Sequence, residues 1–309
     1  MSTAGASPAG EQVLPEMPRL GRLYSRAAGR SGMLMLSRAP LRGSTVPELS
    51  YRVDGVRADA ADLSAYQHLL GEPGTDVLPA GYVHVLAFPL AMALMVREDF
   101  PLPVLGMVHT ANRVVQHRQV LLTEDLTVRA RAGNARRHRK GTQVDLSVTA
   151  HVGDQLVWEG VSTYLAKGRT LPGLPEADGN HAGPERRGPA EETGAAPRTA
   201  SWRLTPSVAK EYAEISGDHN PIHVSRVGAR LLGFPRPIAH GMYTAARALA
   251  AVGPARGKRF VWEVDFGKPV LLPGRVDLAV TVDQDGGHHF VGRSPRSGAV
   301  HLSGVVGPR

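Results

Sequence analysis

The stretch EISGDHNPIHV, residues 214–224, sets an Asp, an Asn and two His around a Gly and a Pro, between two apolar segments. The segment before it, LTPSVAKEYAEISG (204–217), carries helix signals. Thr205 can cap, Pro206 suits the first helical position, Val208, Tyr212 and Ile215 share a face, and Gly217 supplies a stop. Asp218 therefore opens a loop, which Pro221 stiffens. His223 follows about one turn later, close enough to share a substrate with Asp218. A carboxylate beside an imidazole is an acid–base pair: the carboxylate orients water or the ring, and the imidazole titrates near neutral pH. Asn220 suits bonding to neighbouring backbone. On its own, the stretch also reads as a polar turn with incidental histidines.

Downstream, IAHGM (238–242) leads into GMYTAARALAAVG (241–253), an apolar segment expected to be a buried helix. The Gly241 N–H stands at or near its N-terminus, without an intrahelical partner and at the positive end of the dipole. Such a group can stabilise a developing oxyanion. His240 is expected to shape the helix start.

The chain shows two similar halves. VHVLAFPLAMAL (83–94) and AHGMYTAARALA (239–250) are apolar helix candidates, each led by a His, although Pro89 should kink the first. Each is followed by a VLL-containing strand segment, QVLLTEDLTVRARA (119–132) and PVLLPGRVDLAVTV (269–282). Alternating runs around them read as strands. The pattern suggests two copies of one unit, a long helix wrapped by an antiparallel sheet. Only the second copy carries the polar motif, and His84 and His109 in the first are isolated.

Four segments are expected: 1–47, poorly ordered or peripheral; 48–167, the first unit; 168–199, a Pro-, Gly- and Ala-rich linker; 200–309, the second unit. The motif with its surroundings, YAEISGDHNPIHVSRVGA (212–229) and GFPRPIAHGM (233–242), resembles the hydratase signature of the MaoC-like (R)-specific enoyl-CoA hydratase/dehydratase family. The matching positions are Tyr212, Gly217, Asp218, Asn220, Pro221, Ile222, His223 and Ala229. The resemblance is strong over roughly 205–275 and holds elsewhere only by pattern.

The resemblance implies an α+β double hot-dog fold in which the first unit has lost the motif and helps to bind the acyl chain. It implies reversible hydration of an acyl thioester, with Asp218 and His223 as the catalytic pair, Asn220 and Pro221 holding the loop, and Gly241 as the oxyanion donor. No cofactor is implied beyond the CoA or carrier-protein phosphopantetheine of the substrate. Some members place a Ser where this chain has Ala246. Two other readings of such a fold are a thioesterase and a non-catalytic acyl-thioester-binding protein.

Composition narrows the field. The 309 residues are 42% apolar and 21% charged, with a formal charge of +8 and no Cys. That excludes disulfides, thiolate zinc sites and a Cys nucleophile. The ligand types of Asp218, His219, His223 and His240 would suit a metal, but nothing in their spacing recommends one. ARRHRK (135–140) is the densest basic run. It reads first as a solvated hairpin tip, and second as a contact from Arg136, Arg137, Arg139 and Lys140 to CoA phosphates or an acidic carrier protein. No aromatic pattern accompanies it to indicate nucleic acid. The apolar run at 83–96 is too short for a membrane span, and the first residues lack a basic-then-apolar pattern. A cytoplasmic monomer or homodimer is expected.

Overall fold

The computed structural model describes residues 10–36, 46–176 and 197–309. A short strand β1 (Glu11–Val13) and helix α1 (Leu20–Leu36) come first. The first unit follows as β2 (Ser50–Val56), α2 (Ala60–Leu70), β3 (Val77–Leu78), α3 (Ala80–Met95), β4 (Val108–Gln116), β5 (Val120–Leu121), β6 (Leu126–His138), β7 (Gly141–Val152) and β8 (Gln155–Lys167). The second contains β9 (Ala200–Leu204), α4 (Pro206–Ser216), α5 (Pro221–Val224), α6 (Arg226–Leu231), α7 (Gly241–Val252), β10 (Phe260–Phe266), β11 (Gly274–Val282), β12 (His288–Arg293) and β13 (Val300–Pro308).

Among the described residues the strands form an 11-stranded sheet in the order β1-β2-β6-β7-β8-β4-β10-β13-β12-β11-β9, plus the small pair β3-β5. Apart from parallel β1–β2, the ladders are antiparallel. Each unit wraps a sheet around one apolar helix, α3 in the first and α7 in the second. This is the double hot-dog arrangement that the resemblance implied. Antiparallel β4 and β10 join the units, with Trp262 opposite Val114.

Local sequence explains the central elements. In β7, Val144, Leu146, Val148 and Ala150 are buried and alternate with partly exposed neighbours, the period expected of a strand with one face on a core. Helix α3 is buried nearly all round, as the filling of a curved sheet must be. Gly81 lets α3 approach α7, because a Cβ there would stand 3.1 Å from the Cβ of Ala246 and would collide with the Tyr66 hydroxyl. Ala246 thus serves the helix–helix contact. Helix α2, which the sequence reading did not anticipate, is capped by Asp59, which accepts from the Ala61 and Asp62 N–H groups at 2.8 and 3.1 Å, and ends at Gly71 with φ 76°.

Two expectations need correction. The N-terminal segment is not peripheral over residues 11–29. β1 pairs with β2, and Leu23 and Ala27 of α1 are buried. Glu11, its side chain 1% exposed, lies between Arg52 at 3.2 Å and Arg129 at 3.1 Å. The start of the expected linker is also docked. Leu171 is fully buried, its N–H donates to Thr142 Oγ1 at 3.1 Å, and the Arg137 N–H donates to the Pro175 carbonyl at 2.7 Å. The rest of that expectation falls on 177–196, outside the described residues. No described helix is long and apolar enough to cross a membrane.

Candidate active site

The motif loop is built by short-range bonds. Gly217 ends α4 at φ 68°, a left-handed conformation that glycine adopts without strain. Ser216 Oγ donates to the Tyr212 carbonyl at 2.7 Å and accepts the Asp218 N–H at 3.2 Å. Asn220 caps α5: its Oδ1 accepts the Ile222 N–H at 3.2 Å, and Pro221 takes the first helical position. The Asn220 N–H donates to Asp218 Oδ1 at 3.2 Å. These bonds tie the loop to the end of α4 and the start of α5.

Two histidines then tie the loop to the segment before α7. His223 donates Nδ1–H to the Ile238 carbonyl at 2.8 Å, and His240 donates Nε2–H to the Asp218 carbonyl at 2.9 Å. A carbonyl only accepts, so these bonds fix both tautomers and leave the other nitrogen of each ring bare. The two rings stack with centroids 3.8 Å apart. Asp218, His223 and His240 also have ligand atoms within 4.8 Å of one another, so they are a group that could hold a metal ion. Their existing bonds already engage Nδ1 of His223 and Nε2 of His240.

Asp218, His223 and Gly241 line one cavity of about 140 Å³. That is close to the roughly 150 Å³ of an engineered apolar cavity that takes up benzene. Gly241 begins α7, so its N–H has no intrahelical acceptor. The first unit supplies the far wall, including Val85, Met92 and Met107, together with His84 and His109. His109 stacks on Tyr164 at 4.6 Å. The sequence indicated none of the partners Tyr24, Thr244, Phe266 and Lys268, which also line the cavity.

Burial sets the protonation states. It pushes His84 down to about 4, and His109 and His240 down to about 3. His223 is also lowered: burial outweighs the opposing Asp218 charge and the Ile238 carbonyl. For Asp218, burial works upward but is outweighed by His240, His223, the Tyr24 hydroxyl and the Asn220 N–H, which bring it below the usual carboxylate value. At neutral pH the site therefore holds an ionised Asp218 beside neutral imidazoles.

The basic run divides. Arg136 is 5% exposed, bonded to Asp145 at 3.0 Å and to the Asn134 carbonyl at 2.9 Å. It belongs to the interior of the β6–β7 hairpin, and the expectation that it meets phosphate is wrong. Arg137 reaches Glu176 at 3.5 Å, whereas Arg139 and Lys140 are exposed. None of these four lines the cavity.

Residues 189–292 match the family described as MaoC like domain. The chain is 36% identical over 266 residues to the 3-hydroxyacyl-thioester dehydratase X of Mycobacterium tuberculosis, covering 86% of this chain and 91% of that protein. The chain belongs to the MaoC-like dehydratase family. The crystal structure of HtdX from the same organism superposes with a TM-score of 0.73 at 34% identity, over 84% of this chain and 100% of that one. A MaoC-like dehydratase from Phytophthora capsici shares the fold, with a TM-score of 0.65 at 21% identity over 86% of this chain and 96% of that one. The family makes this chain a hydro-lyase.

Proposed function

We propose that the chain adds water reversibly to a trans-2-enoyl thioester, giving the (R)-3-hydroxyacyl thioester, with Asp218 and His223 as the acid–base pair. One observation carries the reading. The bonds that build the site leave Asp218 Oδ2 and His223 Nε2 uncommitted, in the cavity where the Gly241 N–H begins α7. A neutral imidazole nitrogen and an ionised carboxylate can hold one water from two sides. The relatives named as a 3-hydroxyacyl-thioester dehydratase and as a 3-hydroxybutyryl-CoA dehydratase support the same class of substrate.

In hydration the thioester carbonyl accepts the Gly241 N–H. His223 Nε2 takes one proton from the water as its oxygen bonds to C3, and Asp218 Oδ2 holds the second hydrogen. The electrons of the C2–C3 double bond move toward the carbonyl oxygen, where the helix N-terminus stabilises the enolate. The proton on His223 then passes to C2. One water has been added, and both side chains have returned to their starting states. Dehydration runs through the same steps in reverse. The CoA or phosphopantetheine arm is part of the substrate, and the reading needs no further cofactor.

The test is loss of the enoyl-thioester absorbance when crotonyl-CoA and longer trans-2-enoyl-CoAs meet wild-type, Asp218→Asn and His223→Ala protein. Turnover in wild type alone is expected. Release of free thiol with the double bond intact would replace this reading with a thioesterase. Full activity in both variants would sink the assignment of the pair.

A further inference from the structure

Helix α1 reaches the cavity from a part of the chain that the reaction above does not use. Leu20 and Tyr24, one turn apart, share a face and lie over the motif loop. Leu20 packs on Gly217, where a Cβ would stand 2.5 Å from Leu20 Cδ1. Tyr24 lines the cavity, and its hydroxyl donates to Asp218 Oδ1. Leu23 and Ala27 are buried, which seats the helix beside α3. Upstream, the ion pairs of Glu11 and the β1–β2 pairing fix the chain that leads into it.

The two oxygens of Asp218 are not equivalent. Oδ1 accepts both the Tyr24 hydroxyl and the Asn220 N–H. Oδ2 accepts neither and lies 3.9 Å from His240 Nε2, whose proton is committed to the Asp218 carbonyl. A carboxylate whose one oxygen takes two donors is held in rotation and stabilised in its ionised form. The oxygen that remains is the one free to meet water.

The geometry points to Tyr24 as a positioning residue: it orients the Asp218 carboxylate, holds it ionised, and presents Oδ2 to the reacting water. This rests on the role given to Asp218 above. Two other tyrosines face Asp218, Tyr212 from α4 and Tyr164 from β8. The imidazoles facing it are His84 of α3, His109 of β4, His223 of α5 and His240 before α7. Among the described residues, Tyr24 is the side chain that donates to Oδ1.

The test is Tyr24→Phe in the full-length protein, which keeps the ring and removes the hydroxyl. On crotonyl-CoA, kcat is expected to fall about tenfold with KM nearly unchanged, since the lost bond is made to a charged group. A second readout needs no turnover. The carbon-13 carboxyl signal of Asp218, identified by its loss in Asp218→Asn, should titrate about one pH unit higher in Tyr24→Phe. An unchanged Asp218 titration overturns the proposal, even if the wild type proves active and Asp218→Asn inactive. A rise in kcat also overturns it, because Tyr24 would then be keeping water away from the carboxylate. If wild type turns over no enoyl thioester, the proposed reaction fails, and the Asp218 titration still decides what Tyr24 does.

Discussion

His223 and His240 hold each other's segments. Each donates one ring proton to a backbone carbonyl on the other side of the site, His223 to Ile238 and His240 to Asp218, and their rings stack at 3.8 Å. The motif loop and the start of α7 are thereby clasped twice. His240→Phe keeps a ring for the stack and removes the donor to the Asp218 carbonyl. The loop that carries the carboxylate is then less constrained, and a carboxylate displaced by about 1 Å can cost on the order of 100-fold in rate. The turnover rate is expected to fall by about one to two orders of magnitude, with a smaller change in KM. His240→Asn, which can present an N–H near the same place, should recover part of it. Equal loss in both variants would show that the ring itself matters more than its bond.

The lowered position of His223 predicts the pH profile. A histidine whose value lies below the usual 6.5 is mostly in its neutral, proton-accepting form at pH 6.5. Asp218, also lowered, is ionised there. The acid limb of kcat/KM for hydration should therefore be centred below the ordinary histidine value. Steady-state rates at constant ionic strength would check this. An acid limb centred at or above the ordinary histidine value would contradict the assignment of His223 as a neutral base.

The motif loop was legible because its determinants are local. Gly217, Asn220, Pro221 and Ser225 each set the backbone within a few residues of themselves. The central helices and most strands showed in their hydrophobic period. What the sequence hid arrives through distant contacts. Tyr24 lies 194 residues from Asp218, in a segment whose Arg and Gly content masks its order. A signal was present, because Leu20, Leu23, Tyr24 and Ala27 fall at i, i+3, i+4 and i+7 of one helix face. Arg136 was obscured for a related reason. A register shift between Gly133 and Arg136 sets Arg136 opposite Gln143, on the face that carries its partner Asp145, and neither that shift nor the pairing shows in the run itself, whose basic neighbours made it look solvated.

That interior position gives a prediction for Arg136. Its partner Asp145 also accepts from Asn134 Nδ2 at 2.6 Å and Thr163 Oγ1 at 2.7 Å, so the pair lies in a bonded, mostly buried network. Removing one member of such a pair leaves a buried charge uncompensated and costs about 3–5 kcal/mol. Arg136→Ala should lower the denaturant midpoint accordingly, with KM for an enoyl-CoA unchanged in the protein that remains folded. Arg139→Ala, at the exposed tip, should stay within about 0.5 kcal/mol of wild type. Loss of CoA affinity without loss of stability in Arg136→Ala would restore the phosphate role.

Gly241 offers a way to separate a backbone donor from the space around it. Gly241→Ala keeps the N–H and adds a Cβ that would stand 3.1 Å from Phe266 Cε1, so the ring must shift by a few tenths of an ångström. Gly241→Pro adds the same Cβ together with the Cγ and Cδ of its ring, and deletes the N–H. The site tolerates Pro on backbone grounds: position 241 is the first of α7, where Pro is favoured, and His240 before it is extended at φ −62° and ψ 132°. Thermal midpoints of the two variants should therefore be similar. If the N–H stabilises the enolate oxygen, Gly241→Pro should lose about 100- to 1,000-fold more activity than Gly241→Ala, the range seen when one oxyanion donor is removed. Equal activity in the two variants would mean that the carbonyl is polarised elsewhere, and Lys268, which also lines the cavity, would become the donor to test.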